Sequence, residues 1–472
     1  MEFIVHVNDC SRDTTLSVPP PQTHAAPKTR ELFGHPRGLT YLFSTEMWER
    51  FSYYGMRSLL VLYMVKYLLH PGTVDGVIGF AALRGALEAV FGPLEIQPLA
   101  SQIYGLYTAL VYLTPILGGY LADRRLGQRR TVIIGAVLMA LGHFMMAFEP
   151  LFLFALLALI LGNGAFKPNI STQVGRLYAP GDERRDRAYS VFYVGINLGA
   201  FFSPLVCGTL GEELGWGYGF SAAGLGMVIS LIIYTIALRV LPPDEPRPAR
   251  REAARPRLTA EERRGVTALL LLFTPVTLFW AGYEQQGNTI ALWADSFTDR
   301  AIDLGFWQAT IPTTWFQAFN PFMIFAFTPF VVALWRRQAA RKAEPTTVTK
   351  ITIGCIGLAI ANLIMAYAAW HAGDDKATWL WLAGYFVVLT LGELYLSPTS
   401  LSLVTKIAPA SIVSLMMGVW LATSFAGNFL AGWLGSYWSA MAKPDFFLMI
   451  AGVGAVAAIL VWLIGRPLGI KY

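Results

Sequence analysis

Apolar runs of about 20 residues recur from one end of the chain to the other, and each is long enough to cross a hydrocarbon core of about 30 Å. Inside lipid a backbone must satisfy its own hydrogen bonds, so a chain built from such runs is a set of membrane-spanning helices. The runs begin near residues 40, 101, 131, 151, 187, 217, 266, 313, 350, 379, 410 and 446. They are numbered below as spans 1 to 12. Composition agrees: 55% of the 472 residues are hydrophobic and only 14% are charged, whereas soluble domains carry about 25% charged residues.

The connecting loops are an independent test of that reading. Of 36 Lys and Arg, the tails and the alternate loops on one side hold 28, and the loops on the other side hold five. Three remain inside spans: Arg50, Arg57 and Lys167. By the positive-inside rule an even number of spans is expected, with both termini cytoplasmic. The formal charge of +6 then reflects loop asymmetry and not nucleic-acid binding.

Residues 1–37, rich in Pro and Thr without an apolar run, read as a disordered cytoplasmic tail. The charged stretch 241–264 reads as a cytoplasmic linker, dividing an N-terminal six-helix bundle (38–240) from a C-terminal one (265–472). Two such halves are the plan of transporters whose substrate site lies at the midplane between repeats. The long outer loop at about 69–100 places Leu83, Leu87 and Phe91 at helical spacing, with Arg84 and Glu88 an i, i+4 pair. It reads as an interfacial helix; an ordinary ordered loop is the alternative. Cys10, Cys207 and Cys355 form no disulfide framework and no metal spacing.

Charges inside spans are costly, at roughly 2.5–3.5 kcal/mol each on insertion scales. Span 1 nevertheless contains "STEMWERFSYYGMRSLL". Glu46, Glu49 and Arg50 share one face at i, i+3, i+4, and Arg57 follows two turns along it. That face must line protein or water. Two carboxyls beside one guanidinium are not both comfortably ionised, so one is expected to carry a proton easily. Lys167 in span 4, Glu284 in span 7 and Glu393 in span 10 add single charges at related places in the two halves. Opposite charges so placed suggest ion pairs that form and break as the halves rock.

The motifs around these charges resemble those of the proton-dependent oligopeptide transporters, within the major facilitator superfamily. "EMWERFSYYG" is similar to the family's E-x-x-E-R-F-x-Y-Y-G signature, and "GGYLADRRLGQRRTV" to its loop between spans 2 and 3. "FKPNISTQVG", "FYVGINLGAFFSP", "FQAFNP", "GELYLSP" and "MMGVWLATSFAGNFLAG" follow in the family's order. The resemblance implies that Glu46, Glu49 and Arg50 handle protons, coupled to Lys167. It implies that Arg50, Arg57 and Lys167 hold a peptide carboxylate. Glu393 would receive the peptide amino group and pair with Lys167 in the empty site. Glu284 would link protonation to a gate pair with Arg57. Tyr53, Tyr54, Tyr112, Asn197, Asn320, Ser397 and Trp420 would line the pocket. Two departures stand out: the two extra helices that many bacterial members carry between the halves are absent, and the first outer loop is long.

Residue chemistry points the same way. A di- or tripeptide is a zwitterion, so its pocket needs cations at one end and a carboxylate at the other. Arg50, Arg57 and Lys167 can supply the first and Glu393 the second. Asn197 and Asn320 offer a donor and an acceptor each to the peptide backbone. Tyr54 and Trp420 are singled out among the aromatics because they neighbour polar functional positions. Small Gly118 and Gly119 would allow close helix approach, Asp123 would pair with nearby arginines or accept from a neighbouring helix N-terminus as a cytoplasmic latch, and Arg129 and Arg130 would merely fix topology.

An enzyme is disfavoured, because no H-E-x-x-H, G-x-S-x-G or cysteine–histidine arrangement is present. "GNGAFK" lacks the spacing of a phosphate loop. His143, the one histidine within a span, reads as packed or capping. The reading is therefore an all-α polytopic membrane protein of twelve helices in two bundles, importing di- and tripeptides with protons by alternating access. Its expected partners are small peptides, protons and the bilayer, with no cofactor and no metal. A monomer needs no further interface, and a bacterial inner membrane is the expected location. The alternative is a proton-coupled carrier of another small solute, such as nitrate or amino-acid derivatives.

Overall fold

The computed structural model of the chain describes residues 31–32, 34–179, 182–244, 258–303, 305, 308–409 and 412–465. Most of the expected tail and of the linker core lies outside the described residues. The last part of that tail is ordered, contrary to expectation. Glu31–Leu32 pairs antiparallel with His35–Pro36, held by Arg184 on Glu31 at 2.8 Å and by His35 Nδ1 against the Tyr178 hydroxyl at 2.8 Å.

Span 1 is Arg37–Tyr63, span 2 Ile96–Leu121, span 3 Gln128–Met145 and span 4 Phe152–Arg176. Span 5 is Arg184–Ser203, continued through a wide turn to Glu213, and span 6 is Trp216–Ala237. Span 7 is Ala260–Tyr283, a tight turn Glu284–Gly287, then Thr289–Ser296. Span 8 is Phe319–Ala340 after the turn Thr313–Ala318; spans 9 to 12 are Thr347–Ala372, Leu380–Ile407, Val413–Gly435 and Lys443–Gly465. By length and hydropathy alone ten of these qualify as membrane spans. The two that fall short are span 1, with its five charges, and span 3, whose first turn is Gln-Arg-Arg.

Apolar side chains turned away from the bundle, such as Ile116, Leu117, Phe330, Ile459 and Leu463, are exposed, as a lipid-facing surface requires. Between helices the contacts rest on small residues. Pro168 has no N–H to offer the Gly164 carbonyl one turn back, and Gly118 of span 2 packs its bare Cα against that oxygen. Any side chain at Gly118 would overlap it. Gly119, expected to share this task, has open space where its Cβ would be, because it lies a third of a turn away from the contact.

The end of the molecule carrying residues 37, 237 and 260 is called the linker end. There Arg129 does more than set topology: its guanidinium donates to the Pro242 carbonyl at 3.1 Å and to that of Leu241. These carbonyls lie in the chain just past span 6, so Arg129 of span 3 ties down the start of the linker. At the far end, Phe80–Phe91 forms the expected surface helix, with Arg84 donating to Glu88 at 2.9 Å. That hydrogen bond holds the Glu88 carboxyl below its ordinary range. Phe80 and Leu87 are buried, and the Phe91 ring meets Phe429 of span 11 at 6.3 Å. The helix thus rests much of its apolar face on the protein itself. A short hairpin (Ala301–Asp303 with Gln308–Thr310) and a parallel pair (Thr298–Asp299 with Ala377–Thr378) complete this end.

Candidate functional site

The charged face of span 1 is wholly inside the protein. Glu46 and Glu49 are 0% exposed and Arg50 is 2% exposed. Arg50 donates through Nε and Nη2 to the two oxygens of Glu49, each at 2.5 Å. Glu46 lies 3.4 Å from Arg50 Nε, yet neither of its oxygens has a hydrogen-bond donor among the described residues. Asn163 of span 4 reaches Glu49 at 3.5 Å. Three charges are thereby held by one helix turn and one neighbouring side chain.

Two turns along, Arg57 donates from Nε to the Tyr104 hydroxyl of span 2 at 2.7 Å, and from Nη2 to Glu284 of span 7. This is the expected Arg57–Glu284 ion pair, and it joins the halves. It depends on the break in span 7. The helix stops at Tyr283, and Glu284–Gly287 forms a 3-10 turn before helix resumes. Gly287 lets Tyr104 approach, since a Cβ there would strike the hydroxyl. A break of this kind in a spanning helix is tolerated where it lines a cavity or is covered by protein.

A cavity of about 330 Å³ lies between the halves, a size that suits a small ligand. Its wall includes Tyr54, Arg57, Tyr112, Lys167 and Asn197 from the first half, and Glu284, Asn320, Glu393 and Ser397 from the second. Lys167 makes no ion pair or hydrogen bond with any described residue and is within electrostatic reach of Glu46, Glu49 and Arg50. Across the cavity, Asn320 donates to Glu393 at 2.8 Å and to Thr390 at 3.1 Å, while Tyr283 donates to Asn320 at 3.3 Å. One wall is cationic and the other carboxylate.

Three expected wall residues are elsewhere. Arg50 is drawn back from the cavity by its two carboxylates. Tyr53 is buried beneath the guanidinium of Arg50, 4.9 Å from it. Trp420 packs edge-on against Phe273 at 5.6 Å within the second half. In its place Trp280 lines the cavity, with Tyr193, Tyr283, Gln286 and Gln317. The spacing of Trp280, Tyr283 and Glu284 at i, i+3, i+4 was the available signal, since it sets all three on one face. The expected Lys167–Glu393 pair is not formed. Both line the cavity, one from each half, so the two groups face each other across open space.

The hydrogen bonds that join the halves cluster toward the far end. Ser101 donates to Asn288 at 2.9 Å, Gln97 to the Gly435 carbonyl at 3.0 Å, and Lys66 pairs with Asp295 at 2.8 Å. Glu212, closing span 5, accepts from the backbone N–H groups of Thr313 and Thr314 at 2.8 Å each, so it caps the turn that opens span 8. Gly105 and Gly432 bring spans 2 and 11 into backbone contact. Sequence reasoning missed Glu212, because its partner lies a hundred residues away in the other half. Asp123 lies exposed at the linker end of span 2. His143 is fully buried, and neither ring nitrogen has a hydrogen-bond partner among the described residues, so it caps nothing there.

The chain matches the PTR2 model of the POT family over residues 129–253 and 249–449. It is 32% identical to a di-/tripeptide transporter of Lactococcus lactis subsp. cremoris, over 93% of this chain and 97% of that protein. It is 33% identical to the peptide transporter YePEPT of Yersinia enterocolitica, over 87% and 89%. Among solved structures, a peptide transporter POT in complex with sulfate superposes with a TM-score of 0.81 at 30% identity, covering 94% of this chain and 98% of that one. A mutant peptide transporter POT in complex with alafosfalin gives 0.81 at 31%, covering 93% and 96%. Similarity that spans nearly the whole of each chain, in sequence and in fold, places this transporter in the POT family.

Proposed function

We propose that this protein imports di- and tripeptides together with protons, by alternating access between its two six-helix halves (38–240 and 265–472). The observation that carries this is the cavity itself: Lys167 and Arg57 on one wall, Glu393 on the other, with Asn197 and Asn320 between. That charge order is the complement of a zwitterion. The carboxylate of a peptide neutralises Lys167, its ammonium reaches Glu393, and the amide side chains meet its backbone. Relatives named as di-/tripeptide transporters support the substrate class.

Proton coupling falls to Glu46, Glu49, Arg50, Lys167 and Glu284. Glu49 occupies Nε and Nη2 of the Arg50 guanidinium, while neither oxygen of Glu46 has a hydrogen-bond donor among the described residues. An unpaired buried carboxylate is expensive, and a proton removes the cost. With Glu46 ionised, Lys167 is its available counter-ion. With Glu46 protonated, Lys167 is released to the peptide. At the gate, a proton on Glu284 would loosen Arg57 and, through it, the far-end closure. Asp123 acts as a latch at the opposite end. The linker end is cytoplasmic, on the evidence of the loop charges. The protein works as a monomer, since its site is complete within one chain.

The reaction has a definite energetic signature. One charge moving through 100 mV supplies about 2.3 kcal/mol, or roughly fifty-fold accumulation. Dialanine uptake into proteoliposomes is expected to acidify the lumen and to rise with an inside-negative potential. Uptake indifferent to both the pH gradient and voltage would reject the proposal, and competition by nitrate but not by dipeptides would reassign the substrate.

A further inference from the structure

The second half has an apolar groove of about 460 Å³ on its lipid-facing side, between spans 8, 9 and 10. It lies away from the transport cavity. Phe330 and Leu334 of span 8, Ile353 and Ile356 of span 9, and Val388 and Tyr395 of span 10 form its walls. Its floor is bare because Gly357 and Gly392 bring spans 9 and 10 into backbone contact: a Cβ on Gly357 would lie 2.9 Å from the Gly392 Cα.

The charges at its linker end follow from helix geometry. Phe330 and Leu334 share a face of span 8, and Arg337 and Arg341 continue that face one and two turns on. Arg336 and Lys342 flank them, all exposed. On span 9, Lys350 stands one turn before Ile353, with Nζ 4.0 Å from the Trp335 ring centre. Trp335 in turn packs on Tyr395 at 5.4 Å. Its indole N–H is buried without a hydrogen-bond partner among the described residues, as is the Gln338 side-chain oxygen. The one acid between Phe330 and Ile360 is Glu344, paired with Lys350 at 2.5 Å.

We propose that this groove is a binding site for an anionic diacyl phospholipid, with an acyl chain along spans 8 to 10 and the phosphate held by Arg337 and Arg341. Apolar walls select a chain and basic residues at the membrane boundary select a negative headgroup. In the orientation proposed above this is the cytoplasmic leaflet, though the binding measurement does not depend on that assignment or on transport.

The test is native mass spectrometry of the full chain, titrated with phosphatidylglycerol and phosphatidylcholine of the same acyl chains. Phosphatidylglycerol is expected to be retained about tenfold better. The pair Arg337→Gln and Arg341→Gln should lose the preference while still binding phosphatidylcholine. Ile356→Trp, on an exposed wall, should reduce retention of both lipids by filling the groove. The pair Arg124→Gln and Arg125→Gln in the other half should keep the wild-type preference. Equal retention of the two lipids would overturn the site. So would a preference that survives Arg337→Gln with Arg341→Gln, unchanged retention in Ile356→Trp, or an equal loss in the Arg124 and Arg125 control.

Discussion

At the scale of single residues, Lys167 decides whether the cavity is a coupled site or merely a hole. It is the wall cation with no partner among the described residues, whereas Arg57 is already committed to Glu284 and Tyr104. Removing it takes away the group for which Glu46 and a peptide carboxylate would compete. Lys167→Ala is therefore expected to bring accumulation from the roughly fifty-fold limit set by 100 mV down to equilibration. Counterflow of labelled dialanine between equal pools, which needs no net proton movement, should suffer less. Time courses with and without an imposed potential separate the two, and undiminished accumulation by the variant would remove Lys167 from the coupling route. The charges of span 1 were legible in sequence because a charge in an apolar run is conspicuous and its partners sit one turn away. Trp420 was misplaced for the converse reason. Aromatics abound in spanning helices, and neither spacing nor neighbours in sequence say which side of span 11 faces the cavity. Arg50 was legible as a site charge but not as one that two carboxylates hold off the wall.

At the scale of elements, the site depends on spans 2 and 4 touching backbone to backbone. Pro168 frees the Gly164 carbonyl, and Gly118 fills the resulting notch. Lys167 sits one residue from that proline, so its height and direction are set by the same contact. Gly118→Val should cost on the order of 3 kcal/mol or more, since backbone cannot yield as a flexible side chain can. Gly119→Val, one residue on and facing open space, should be close to neutral. Thermal unfolding in detergent measures both, and equal effects would show that the notch is not what orders these helices. The twelve spans themselves were readable from hydropathy and loop charge. The interruption of span 7 was not: "GYEQQGN" contains helix formers, and the turn forms because Glu284, Gln285 and Asn288 find partners in spans 1, 11 and 2. Those partners are distant in sequence, so only the folded chain discloses them.

At the scale of the whole molecule, the hydrogen bonds and ion pairs that join the two halves among the described residues gather toward the far end. Lys66 with Asp295, Ser101 with Asn288 and Glu212 with the start of span 8 all lie toward that end, and the Arg57–Glu284 pair is part of the cavity wall. In the cycle proposed above, a peptide meets Lys167 and Glu393 from the linker end while these far-end bonds are made. Import requires the reverse arrangement at another moment, in which these bonds are broken. A covalent bridge across the far end should therefore stop the cycle without blocking the site. With Cys10 replaced by Ser, the pair Lys66→Cys and Asp295→Cys places two thiols across the gap that the lysine side chain now spans, where a short bifunctional methanethiosulfonate can bridge them. Cross-linking with it should abolish dialanine uptake, and reduction should restore it. Binding of dialanine to detergent-solubilised protein should persist in the cross-linked form, because the bridge lies outside the cavity wall. Uptake that continues at the wild-type rate in fully cross-linked protein would mean that the halves do not part at this end, and alternating access by rocking would have to be abandoned.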